Sequence, residues 1–277
     1  MRASLKAIGA VMAFYCVAAV PLFAAALVVP ADWWEGQSAI VLQTCVLFVG
    51  AVAASSLFVG AGWANLPMLG FQNHGTNVRW FVIGTGVGVA MACLAIVLAV
   101  VGGSARISFA GESLGAYLVS FVSVGVVLLA AAVTEELLFR GYPISRLALT
   151  VGKVRASLAL AAVFMIAHAL NPEVSIFGLV NIGLAALVLS AAFFGPGGLA
   201  AAWGVHVGWN GGLGILVDAP VSGVNFEMPI VDFATGGPTW FTGGSFGPEG
   251  GMVTTITMAA ALVWLLRYKN LREERSK

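Results

Sequence analysis

The stretch that decides the fold is residues 115–139, GAYLVSFVSVGVVLLAAAVTEELLF, which is followed by Arg140. It is apolar for about twenty residues, the length that an α-helix needs to cross the hydrocarbon core of a membrane. Two ionisable residues, Glu135 and Glu136, lie near its end. An ionisable side chain inside a membrane is energetically unfavourable, so its presence usually reflects a function. The stretch therefore predicts a membrane-spanning helix that carries a functional site.

The composition of the chain agrees with a membrane protein. Of its 277 residues, 60% are hydrophobic and 9% are charged. Soluble domains average about 45–50% hydrophobic and about 25% charged residues. The net charge of +1, without a basic stripe, excludes a nucleic-acid partner, so the expected surroundings are membrane lipid. The abundance of alanine, glycine and valine favours a bacterial source, and hence the bacterial cytoplasmic membrane.

Hydropathy predicts an all-α, polytopic helical bundle of about eight transmembrane helices, forming a single transmembrane domain over residues 1–277. With both termini in the cytoplasm, 11 of the 13 lysine and arginine residues fall on the cytoplasmic side, as the positive-inside rule requires. A Gly- and Pro-rich loop over residues 217–250 is predicted on the outer face, either as a tolerated surface loop or as a loosely ordered cover. The predicted spans are 7–29, 39–61, 80–102, 115–139, 156–170, 175–194, 197–216 and 251–267.

Helical spacing separates the two carboxyl groups of the fourth span. Glu136 and Arg140 are four residues apart, with the glutamate first, which is the favourable arrangement for an ion pair on one helix face. Glu135 lies about 100° around the helix and lacks that partner. A carboxyl group left unpaired in this setting is suited to proton transfer near neutral pH.

Two of the three histidines of the chain lie in other predicted spans. His168 is four residues after Phe164, and His206 is four residues before Asn210, so each pair shares one helix face. We take Arg146, Arg155 and Pro196 as markers of the inner interface. At about 1.5 Å of helical rise per residue, both histidines and Glu135 then lie near the membrane midplane. The three side chains are therefore expected to meet.

These segments together resemble the family of CAAX proteases and bacteriocin-processing enzymes (CPBP, or Abi), which includes the Ras-converting CAAX prenyl endopeptidases. The family pattern is Glu-Glu-x-x-x-Arg, then Phe-x-x-x-His, then His-x-x-x-Asn or Asp, on separate membrane helices. The resemblance covers a catalytic core at about 115–216. The matching residues are Glu135, Glu136 and Arg140, then Phe164 and His168, then His206 and Asn210.

The resemblance implies an intramembrane endopeptidase that hydrolyses a peptide bond in a peptide or protein substrate. The roles that it implies are activation of the attacking water by Glu135 and His168, oxyanion stabilisation by His206 and Asn210, and structural support by Glu136, Arg140 and Phe164.

The sequence leaves the cofactor open. Glu135, His168 and His206 are a donor set typical of a catalytic zinc site, and the same residues also suit a mechanism without a divalent metal. No His-Glu-x-x-His helix is present in the sequence.

Two other classes of function are compatible with these residues. One is a non-catalytic immunity or scaffold protein on the same fold. The other is a proton-coupled transporter, which would use glutamate and histidine at the midplane. A transporter predicts inverted repeats, which the sequence does not show, although four glycines (Gly208, Gly211, Gly212 and Gly214) predict a loosened seventh span.

Overall fold

A computed structural model describes residues 2–60, 63–103, 105–109, 111 and 113–275. These residues form ten α-helices and one two-stranded antiparallel sheet. The helices are α1 (Arg2–Val28), α2 (Gly36–Val59), α3 (His74–Gly103), α4 (Leu114–Phe139), α5 (Tyr142–Val151), α6 (Lys153–Ala167), α7 (Ile176–Phe193), α8 (Gly198–Gly214), α9 (Thr239–Thr242) and α10 (Met252–Arg275). The strands are β1 (Arg106–Phe109) and β2 (Val231–Ala234). Short 3-10 helices lie at Ala31–Trp34, Trp63–Leu69, Gly244–Phe246 and Pro248–Gly250.

The predicted helical membrane fold is confirmed in its main feature. Within the described residues, five helical stretches are long and apolar enough to cross a membrane: Arg2–Val28, Ser38–Val59, Asn65–Gly102, Leu114–Val151 and Ile176–Phe193. Each of the eight predicted spans also contains a helix, but α6 and α8 have only 15 and 17 residues, fewer than the usual 20 or so. The number eight and the cytoplasmic location of both termini therefore stay predictions.

Besides α9 and the short 3-10 helices, two elements were not predicted from hydropathy. One is the β1–β2 sheet, a small exception to the all-α class. The other is α5, a short helix between the fourth and fifth predicted spans. Pro143 stands in its first turn, where the missing N–H of proline is tolerated, and α5 buries Ile144 and Leu147.

Two glycines of α8, Gly204 and Gly208, lie in its contact surface with α3. A Cβ atom on Gly204 would overlap the carbonyl oxygen of Phe81, and one on Gly208 would overlap that of Thr85. Glycines at this four-residue spacing let two helix backbones approach closely. The expectation that glycines loosen this span was therefore wrong for Gly208. His206 lies between these two glycines in sequence and so points to the opposite face of α8, towards α4.

We expect Gly208→Ala to lower the free energy of unfolding by about 1–3 kcal/mol, the usual effect of overpacking, because α8 must move away from α3. Gly211→Ala is the matched control on the same helix, since only Ile215 Cδ1, at 3.9 Å, lies near its added Cβ. Thermal unfolding in detergent measures both. Equal melting temperatures for the two variants would contradict the close contact.

Parts of the 217–250 segment are packed against the rest of the protein, while other parts, such as Glu227 and Trp240, are exposed. Its strand β2 pairs with β1, and Phe246 and Met228 are 1% and 3% exposed. A carboxyl group, Asp218, is also buried there and accepts a hydrogen bond from the backbone N–H of Met228 at 2.9 Å. The packed parts therefore belong to the folded core.

Stability of the 217–250 segment is expected to depend on pH through Asp218. Burial raises the pKa of its carboxyl from 3.8 to about 6, opposed by the Met228 hydrogen bond and reinforced by the charges of Asp232 and Glu227. The folded state therefore binds more protons than the unfolded state between these two values, so stability falls as pH rises through this window. The expected loss is on the order of 1–3 kcal/mol.

The Asp218→Asn variant tests this pH dependence, because its side-chain oxygen can still accept the hydrogen bond while it cannot ionise. Thermal unfolding between pH 4 and pH 7 should show a smaller fall in stability for the variant than for the wild type. Parallel curves would show that Asp218 ionises normally.

Candidate active site

A buried ion pair at the end of α4 lies beneath the candidate site. Arg140 Nη1 donates a hydrogen bond to Glu136 Oε1 at 3.2 Å, and the two residues are 1% and 0% exposed. Arg140 Nη2 donates to the carbonyl oxygen of Ala186 on α7, and the guanidinium lies 4.7 Å from the centre of the Phe164 ring on α6. The pair expected from helical spacing is present, and Arg140 connects α4 to α7 and α6.

Glu136 also binds a histidine, which helical spacing could not predict. His206 Nδ1 lies 2.9 Å from Glu136 Oε1, the same oxygen that accepts from Arg140. The hydrogen bond orients the imidazole so that Nε2 faces the other carboxyl group, Glu135. Glu136 is therefore more than the partner of Arg140, because it also fixes the ring of a candidate catalytic residue.

The carboxyl group of Glu135 lies between two histidines. Its Oε1 is 3.8 Å from His168 Nε2, and its Oε2 is 3.7 Å from His206 Nε2. Among the described residues, Glu135 Oε2 has no hydrogen-bond partner. The side chain of Glu135 is 29% exposed and lines the cavity described below. The structure thus brings together three side chains from α4, the end of α6 and α8.

His168 is held in one tautomer by the helix that it terminates. Its Nδ1 lies 2.8 Å from the carbonyl oxygen of Phe164, and because a carbonyl can only accept, Nδ1 carries a proton. In the neutral ring, Nε2 then has a free lone pair directed at Glu135. The Phe164 ring, centred 4.3 Å from the imidazole, supports the same orientation.

These groups open into a cavity of about 490 Å³. Asn210, one turn beyond His206 on α8, is part of the cavity wall together with Glu135, His168 and His206. Most of the remaining wall is apolar, with contributions from α1, α2, α4, α7, α8 and α10. A peptide segment in such a cavity would lie beside a carboxylate, two imidazoles and a carboxamide.

The donor chemistry of Glu135, His168 and His206 fits zinc, but their spacing does not. Zinc bonds of about 2.0–2.1 Å in a tetrahedral site require donor atoms closer together than the 3.7 and 3.8 Å seen here. Among the described residues, no group of three or more histidine, cysteine, aspartate or glutamate side chains could hold a metal ion. In this arrangement Glu135, His168 and His206 do not form a metal site.

The cavity-wall residues that the sequence did not indicate include four polar or aromatic ones: Asn171, Trp209, Ser222 and Glu249. Glu249 lies within the predicted outer loop 217–250, yet it is 7% exposed and accepts a hydrogen bond from the indole N–H of Trp209 at 2.8 Å. Its position in a Gly- and Pro-rich segment carries no periodicity from which burial could be inferred. Its contact with a residue 40 positions away depends on the tertiary fold.

Comparison with known proteins identifies one family. Residues 117–212 match the family model described as type II CAAX prenyl endopeptidase Rce1-like. This confirms the resemblance drawn from the three motifs, and the matched segment contains all seven motif residues. No curated protein and no solved structure matches the chain.

Proposed function

We propose, from the premise that residues 117–212 belong to the CAAX protease family, that this chain is an intramembrane endopeptidase. The observation that carries the proposal is the position of Glu135 between His168 and His206, at 3.8 and 3.7 Å, in the wall of a cavity of about 490 Å³. An acid–base cluster beside a space for a peptide is what hydrolysis of a peptide bond needs.

Glu135 and His168 would activate the attacking water. The 3.8 Å between Glu135 Oε1 and His168 Nε2 exceeds a direct hydrogen bond but allows one water oxygen to contact both groups. Glu135 takes a proton from the water while the water oxygen attacks the scissile carbonyl carbon. The same proton then passes to the leaving nitrogen as the C–N bond breaks, which leaves a carboxyl and an amino terminus.

His206 and Asn210 would stabilise the oxyanion of the tetrahedral intermediate. With both carboxyl groups ionised, Glu135, Glu136 and Arg140 together carry one net negative charge, and a proton on His206 neutralises the cluster. An imidazolium that keeps its Nδ1 bond to Glu136 has a second N–H, on Nε2, to donate to the oxyanion. The Asn210 amide lies one helical turn away on the same face and supplies a further donor.

The substrate would be a peptide or protein segment that reaches the active site within the membrane. Several helices long enough to span a membrane and the membrane-protease family make the chain an integral membrane protein. The alanine-, glycine- and valine-rich composition supports the bacterial cytoplasmic membrane as its location.

The proposal is tested by comparing membranes that contain the wild type with membranes that contain Glu135→Gln. New peptide termini are quantified by mass spectrometry, and termini that appear only with the wild type are the expected result. They would also identify the substrate. Identical termini in both membranes, with the cellular phenotype retained in the variant, would instead favour the non-catalytic immunity or scaffold protein.

A chelation experiment decides between the glutamate and metal mechanisms. Once a substrate is identified, the purified protein is treated with 1,10-phenanthroline and dialysed before the assay. We expect the cleavage rate to stay unchanged, because the donor atoms are too widely spaced for zinc. Loss of the rate and its recovery with added zinc would assign Glu135 and the two histidines as metal ligands.

A further inference from the structure

A second buried carboxylate, Glu249, lies in the wall of the same cavity and has no role in the proposed hydrolysis. Its Oε1 accepts from the Trp209 indole N–H at 2.8 Å. Its Oε2 accepts from the Ser222 backbone N–H and from the Ser222 hydroxyl, the latter at 3.2 Å. With three donors on two oxygens, this carboxylate serves the protein itself rather than a ligand.

The donors to Glu249 connect it to both sides of the candidate active site. Trp209 stands between His206 and Asn210 on α8. The carbonyl oxygen of Ser222 accepts from the Asn171 side chain at 3.1 Å, and the backbone N–H of Asn171 donates to the carbonyl oxygen of His168 at 3.1 Å. A continuous chain of hydrogen bonds therefore runs from the end of α6 through Glu249 to α8.

The backbone that carries Glu249 is itself fixed. The side-chain amide of Asn181 on α7 donates to the carbonyl oxygens of Glu249 and Gly251 at 2.8 and 2.9 Å. Asn181 is 1% exposed, and its own oxygen accepts from the Thr255 hydroxyl of α10 at 2.7 Å. The carboxylate of Glu249 is thus held on a platform made by two other helices.

We propose that Glu249 is a positioning residue that sets the spacing between His168 at the end of α6 and Asn210 on α8. This inference rests on the proposed protease function. The 217–250 segment then takes part in the reaction by holding the water-activating side and the oxyanion side of the site at a fixed separation. An error of about 1 Å in such a geometry lowers a reaction rate by as much as 10²-fold.

The test compares Glu249→Gln with Glu227→Gln in the full-length protein. Glutamine keeps the shape of Glu249, but its NH₂ group must face an N–H donor, so one side of the link is broken. We expect kcat to fall about ten- to hundredfold with little change in KM. Glu227 is exposed and lies in the same segment, so its variant should match the wild type. A kcat for Glu249→Gln equal to that of the wild type would overturn the proposal.

A double-mutant cycle with Trp209→Phe separates positioning from a general loss of folding. Both changes interrupt the same chain of hydrogen bonds through residue 249, so the double variant should lose little more activity than either single variant. Multiplicative losses would show that the two residues act independently and would overturn the link. If Glu249→Gln does not fold, Trp209→Phe alone removes the bond from the α8 side and should show the same fall in kcat.

Hydrogen exchange gives a readout that does not depend on proteolysis. In Glu249→Gln, the backbone amides of residues 168–171, 219 and 221–224 should exchange faster than in Glu227→Gln, by more than any increase that a lower melting temperature produces across the whole chain. A wild type that cleaves no substrate contradicts the protease function alone, and the exchange data still decide the link. Unchanged exchange at both segments would overturn the positioning role.

Discussion

Glu135→Gln is expected to reduce peptide hydrolysis by about 10²–10⁴-fold, the usual contribution of a positioned general base. The amide has the shape of the carboxylate but cannot accept the proton of the attacking water. The fold should be retained, because Glu135 is 29% exposed and its contacts to the two histidines are 3.7 and 3.8 Å long. Single-turnover cleavage of the identified substrate and the melting temperature are measured together.

Glu173→Gln is the matched control for this loss of activity. Glu173 is exposed and accepts a hydrogen bond from the Ser245 hydroxyl at 3.0 Å, which glutamine can also accept. Its variant should cleave at the wild-type rate. Full activity in both variants would mean that another group activates the water. The assignment of Glu135 would then be wrong.

Glu136→Ala is expected to have the largest effect on stability, lowering the free energy of unfolding by about 3–5 kcal/mol. The substitution leaves the guanidinium of Arg140 buried, with the Ala186 carbonyl and the Phe164 ring as its remaining partners. It also removes the acceptor that orients His206. Thermal unfolding in detergent should show a large fall in melting temperature.

The double variant Glu136→Gln/Arg140→Met distinguishes the two roles of Glu136. With both charges gone, no unpaired charge remains buried, so much of the lost stability should return. Activity should stay reduced, because a neutral amide oxygen is a weaker hydrogen-bond acceptor than the Glu136 carboxylate and so holds the His206 ring less firmly. Recovery of both stability and activity would show that Glu136 acts only through Arg140.

The sequence alone determined the features that are local along the chain. Apolar runs such as 115–139 predict helices because a backbone in lipid must satisfy its own hydrogen bonds. The pairing of Glu136 with Arg140 follows from four-residue spacing on one helix. The three motifs also indicated the family, which the match over residues 117–212 confirmed.

The tertiary structure alone decided how these helices face one another. The bond between Glu136 and His206 joins residues 70 positions apart, and it depends on the rotation of α8 that Gly208 permits by packing closely against α3. The burial of Glu249 depends likewise on the path of the 217–250 segment. Hydropathy and helical spacing describe each helix by itself, whereas these contacts depend on the packing between helices, so no pattern within a single helix contains them.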